Sequence, residues 1–113
     1  MSSYNASSSK SNSYQKKLQI SLASYKRIQK DINYYHNELI EHKKKWDENP
    51  TKHTNELFSE IEETIVHTEK QKIMFLNKLK TLFYIIKDLN NEELNNLEEY
   101  KEAETIINNE TYA

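Results

Sequence analysis

Apolar side chains recur through the middle of the chain at steps of three and four. From Phe58 to Leu89 the seam positions are Phe58, Ile61, Ile65, Thr68, Lys72, Phe75, Leu79, Leu82, Ile86 and Leu89, apolar except where Thr68 and Lys72 interrupt. This spacing keeps one stripe of a helix turned toward a partner helix, so a long helix with a heptad seam is predicted. Leu76 and Phe83 widen the stripe in its later half. One helical neighbour early and two late would account for the change in width. An earlier segment carries Leu18, Tyr25, Ile28, Ile32, Tyr35, Leu39, His42 and Trp46, with Leu18, Tyr25, Ile32, Leu39 and Trp46 recurring every seven residues. It predicts a first helix that matches the second. A shorter third pattern follows at Leu94, Leu97, Tyr100, Ala103 and Ile107.

Breaks and caps separate the three patterns. Residues 1–13 are mostly Ser and Asn without an apolar period, which predicts a disordered tail, and Ser13 is the expected cap of the first helix. Asn49-Pro50 ends that helix, because the residue before Pro is pushed out of the α region and Asn tolerates the left-handed conformation. Thr51 or Thr54 caps the second helix. Asn90, three residues ahead of Glu93, reads as a capping box for the third. Connections this short turn successive helices antiparallel. The predicted fold is therefore all-α: an elongated antiparallel three-helix bundle (long, long, short) with coiled-coil-like packing. Its helices cover about 14–48, 52–89 and 91–108, within a domain spanning 14–110.

The short third helix reaches only the half of the hairpin far from Pro50. Near Pro50, Leu39, Ile40, Trp46, Leu57, Phe58, Ile61 and Val66 have two helices to cover them. Two helices cannot enclose so many apolar groups, so either a protein partner or a second copy of the chain is expected to cover some of them. Tyr34 and Tyr84 fall off the seams as further partner-facing candidates, whereas Tyr25, Tyr35 and Tyr100 fall on them.

Composition narrows the chemistry. The chain has 113 residues, no Gly, no Cys and one Pro. Disulfides, thiol chemistry and Cys-based metal sites are excluded, and the usual glycine-rich phosphate cradles cannot form. The four histidines, His36, His42, His53 and His67, show no Glu-x-x-His spacing of the kind that paired helices use for metals. Glu38 with His42 and Glu63 with His67 are ordinary helix-surface pairs. No nucleophile motif stands out, so no catalytic residue, no metal site and no cofactor is expected, and the chain is expected not to be an enzyme. The longest apolar run, Leu82 to Ile86, is too short to span a bilayer, and no signal-peptide core precedes it. A cytoplasmic location follows as an expectation, in which the sequons at Asn5 and Asn109 carry no meaning.

Net charge is −2, which predicts neither a nucleic-acid nor a membrane partner. Its distribution is uneven. Residues 14–48 hold eight basic and five acidic side chains, whereas 91–113 hold seven acidic side chains and Lys101 alone. An acidic third helix packed beside a basic first one accounts for this. Lys43, Lys44 and Lys45 complement the dipole at the end of the first helix.

The run Leu97-Glu98-Glu99-Tyr100-Lys101-Glu102-Ala103 resembles the third-helix signature of the tubulin-folding cofactor A family. The first helix is similar as well, with Tyr25-Lys26-Arg27 followed by Tyr34-Tyr35 and Glu38-Leu39. The order and lengths of the three segments also match, over about residues 16–110. The resemblance implies a three-helix chaperone that takes β-tubulin released from the cytosolic chaperonin and stabilises it before αβ heterodimer assembly, without nucleotide or metal. It implies a cytoskeleton-associated location and other tubulin-folding cofactors as further partners. Within the matched run, Tyr100 and Ala103 face inward, leaving Lys101 and Glu102, with neighbouring Glu98, as candidate contacts. The candidate partner-binding residues are thus Lys101, Glu102, Glu98, Ile40, Trp46 and Val66. The alternative is a homodimeric helical scaffold or tether.

Overall fold

The structure, a computed structural model, describes residues 2–112, with side chains for residues 12–110. The chain is helical over Ser2–Glu48 (α1), Lys52–Leu89 (α2), Glu92–Asn95 (α3) and Glu98–Tyr112 (α4), and no strand occurs among the described residues. The all-α expectation holds. Two of the predicted boundaries do not.

The first concerns the start of α1. It begins at Ser2 rather than near residue 14, so the segment expected to be a disordered tail continues the helix. Residues 2–13 contain no Gly or Pro, and extending an existing helix costs far less than nucleating one. Ser and Asn lower the propensity by only a few tenths of a kcal/mol each. Met1 lies outside the described residues.

The second concerns the third helix, which is two pieces. α3 ends at Asn95 and α4 begins at Glu98, with the Leu97 amide bonded to the Leu94 carbonyl at 3.1 Å across the break. Helix geometry explains it. Leu94 and Ala103 are nine residues apart, and at about 100° per residue they would point to opposite sides of a straight rod. Both are buried in one core, together with Tyr100 and Ile107. The bend at Asn96 and Leu97 re-aims the chain so that they can be. Its cost is visible next to it: Asn95 Oδ1 is buried with no hydrogen-bond partner among the described residues.

The connections follow local chemistry. At the start of α2, the Thr51 hydroxyl accepts from the Thr54 amide at 3.1 Å while the Thr54 hydroxyl accepts from the Thr51 amide at 2.9 Å. Two amides that the helix leaves without partners are thereby satisfied reciprocally. After α2, Asn90 takes the left-handed conformation at φ 50°, and it is the one non-Gly residue with positive φ among those described. The predicted left-handed Asn is therefore Asn90, not Asn49. The cap of α3 is Asn91 rather than Asn90, its side chain accepting from the Leu94 amide at 3.2 Å.

The chain divides into two compact units, Met1–Tyr25 with Phe75–Ala113, and Lys26–Met74. In the first, Leu18 and Leu22 of α1, Leu79, Phe83 and Ile86 of α2, Leu94 of α3, and Tyr100, Ala103 and Ile107 of α4 form one core. The Phe83 and Tyr100 rings stack at 4.8 Å between centroids. Two polar ties join α1 to α4. The Tyr25 hydroxyl donates to Glu110 Oε1 at 2.6 Å, and Gln19 Nε2 donates to Glu99 Oε1 at 2.9 Å. The Gln19 amide holds the Glu99 carboxyl below its ordinary range.

The second unit is the turn at Pro50 with the helix segments on either side. Its buried side chains are Ile28, Ile32, Ile65 and Thr68. Thr68, the polar residue on the α2 seam, donates its hydroxyl to the Thr64 carbonyl at 2.7 Å, so its own helix satisfies it. His36 and Glu69 approach to 3.7 Å between α1 and α2, an exposed pair of small energetic weight.

Candidate partner-binding surfaces

The six candidate residues fall into two groups, one in each unit. Glu98, Lys101 and Glu102 lie in the first two turns of α4. Spacings of three and four residues put Lys101 and Glu102 on the same side of that helix as Glu98. Glu98 and Lys101 are exposed. Glu102 is half-buried, less open than its position in the matched run suggested. Beneath them Tyr100 and Ala103 are buried, as expected of the inward face. Burial, followed by the nearby Glu104 carboxylate, pushes the Tyr100 phenol up from its ordinary pKa.

Ile40, Trp46 and Val66 belong to the second unit. Ile40 and Val66 stand 55 % and 52 % exposed, and Trp46, although on the α1 seam, is 39 % exposed. Around them Leu39, Leu57, Phe58 and Ile61 are half-buried, so none of the seven apolar residues near Pro50 is enclosed. A helix pair leaves its flanks to solvent, which accounts for Ile40 and Val66, whereas the seam residues Leu39, Trp46, Phe58 and Ile61 have a single facing helix and are only partly covered. Tyr34 is exposed here, its hydroxyl donating to Glu38 at 2.9 Å, and this bond raises its pKa. Tyr35, expected in the core, is only half-buried.

A third surface carries residues that the sequence pattern did not single out as a site. In the first unit a groove of about 340 Å³ runs between α1 and α2. Its α1 wall is Lys17, Ile20, Ser21 and Ser24, and its α2 wall is Phe75, Lys78 and Leu82. Phe75 and Leu82 were assigned to the heptad seam, whereas Ile20 had no place in it. The available signal was Lys17, Ile20 and Ser24, three and seven residues apart, flanking the Leu18 stripe.

Among the described residues no group of His, Asp and Glu is arranged to hold a metal ion, and no helix is long and apolar enough to cross a membrane. Comparisons with protein-family models, with curated proteins and with solved structures return no match to this chain.

Proposed function

We propose that this chain is a non-catalytic binding protein that holds a folding client on the apolar flank of its Pro50 hairpin, and that the client is β-tubulin. The observation that carries the binding role is the exposure of Ile40, Trp46 and Val66 in a unit with four buried side chains. Large apolar side chains left open on a small unit suit a surface that another protein covers. The choice of client rests on the likeness of residues 97–103, and of the three segment lengths, to tubulin-folding cofactor A. The protein would shield tubulin surface until the αβ heterodimer forms, which requires an affinity low enough for release.

The test is co-elution of the full chain with β-tubulin discharged from the cytosolic chaperonin. A stable complex is expected, with Trp46→Ala weakening it by tenfold or more while leaving helicity unchanged, as for a central aromatic anchor. Binding to α-tubulin alone, or to neither subunit, overturns the tubulin reading. The same exposed side chains would serve a homodimer, so the mass of the free chain at low micromolar concentration is measured in parallel. A dimer that Trp46→Ala dissociates and that ignores tubulin would establish the scaffold instead.

A further inference from the structure

We propose that the groove between α1 and α2 in the first unit is a docking site for an amphipathic helix of another protein, one whose apolar stripe is bordered by Asp and Glu. The proposal does not rest on the tubulin reading. Ile20 is 62 % exposed, the most open large apolar side chain among the described residues, and it lines the same groove as the half-buried Phe75 and Leu82. A single exposed Ile would need no explanation, but three apolar residues lining one groove from both walls form a receptive surface. Ser21 and Ser24 keep the α1 wall low, so another backbone can approach closely. Each wall spans eight residues of helix, about 10 Å or two turns. That is the reach of a docking helix presenting side chains at i, i+3 or i+4, and i+7.

Charge selects the occupant. Lys17 lies on one wall and Lys78 on the other, and no acidic side chain lines the groove. Each ammonium is held over a ring, Lys17 at 5.6 Å from the Tyr14 centroid and Lys78 at 5.8 Å from that of Phe75. Distances of this length are within cation–π range, so each charge is held close to an aromatic ring, and both lysines line the groove. Carboxylates flanking an apolar stripe would meet them. A second copy of the chain fits poorly: groove on groove would gather four ammoniums, and like charges across an interface suppress pairing. The acidic α4 of a second copy is no better suited, since its Tyr100, Ala103 and Ile107 are already buried in its own core. A small ligand would find an open trough near the lower end of the usual ~300–1,000 Å³ range for such sites.

The experiment titrates the full chain into two fluorescein-labelled helical peptides that share one Leu/Ile stripe, flanked in one by Glu and in the other by Lys. The Glu peptide is expected to bind about tenfold tighter, a gap that narrows as salt is added. Lys17→Glu with Lys78→Glu should reverse the preference. Ile20→Asp should abolish binding of both peptides with helicity intact, while Trp46→Ala leaves them bound. Equal affinities, no binding, or binding that survives Ile20→Asp would overturn the proposal. So would concentration-dependent dimerisation of the free chain that Ile20→Asp disperses, which would assign the groove to a second copy.

Discussion

Tyr25 joins two environments that rarely meet in one side chain. Its ring is fully buried in α1, yet its hydroxyl reaches across to Glu110 near the end of α4. Burial, followed by the hydrogen bond and the charge of Glu110, pushes the phenol pKa well above its ordinary value of 10.0. A group whose folded pKa is raised contributes its full stabilisation below its unfolded pKa and loses it as pH climbs beyond that value. Stability should therefore be flat through neutrality on this account and fall above about pH 10. Tyr25→Phe keeps the ring and removes the bond. Urea unfolding at pH 7 should show a loss of about 1.5–3 kcal/mol, the range for a hydrogen bond to a charged partner. The alkaline fall should flatten in the variant. If the two proteins lose stability in parallel above pH 10, Tyr25 is not the group responsible. The seam placed Tyr25 in the core correctly, but no sequence spacing links it to a carboxylate so far along the chain.

At the level of single elements, the turn between α2 and α3 rests on two asparagines in a chain that has no glycine. Asn90 in the left-handed region costs up to about 1–2 kcal/mol relative to a right-handed residue, and Gly would relieve most of that. Asn90→Gly should accordingly raise the melting temperature, whereas Asn90→Ala should lower it. Asn91→Ala removes the cap on the Leu94 amide and should cost about 1 kcal/mol. Equal effects of Ala at both sites, with no gain from Gly at 90, would contradict the assigned roles. The sequence indicated a break at Asn90-Asn91 but not which Asn turns and which caps, since both residues do both jobs in other proteins. The division between α3 and α4 was legible in principle. Three successive steps of three, from Leu94 to Ala103, drift by half a turn and cannot share one face of a straight helix. The start of α1 was not legible, because a Ser/Asn run without breakers is compatible with either state.

The two units of the whole molecule differ in what they bury. Nine side chains close the core that contains Leu18, Leu79 and Ile107. The unit of residues 26–74 buries Ile28, Ile32, Ile65 and Thr68. Each enclosed apolar side chain contributes roughly 1.5–3 kcal/mol, and fixing the backbone costs about 1–2 kcal/mol per residue everywhere. Openings confined to residues 26–74 should therefore have lower free energies than openings of the nine-membered core. Hydrogen exchange followed by mass spectrometry should show amides around Ile32 and Ile65 exchanging ahead of those around Leu22, Leu79 and Phe83. The even heptad spacing of Phe58 to Leu89 does not reveal this contrast, because periodicity reports which stripe faces a neighbour and not how many neighbours surround it. The widening at Leu76 and Phe83 is the one sequence trace of it, and the burial of Phe83 agrees. A weakly covered hairpin also suits a client-binding role, since the client supplies the missing apolar cover. Bound β-tubulin should slow exchange over residues 39–66 while leaving residues 79–107 nearly unchanged. Protection that appears first in the nine-membered core would place the client elsewhere on the chain.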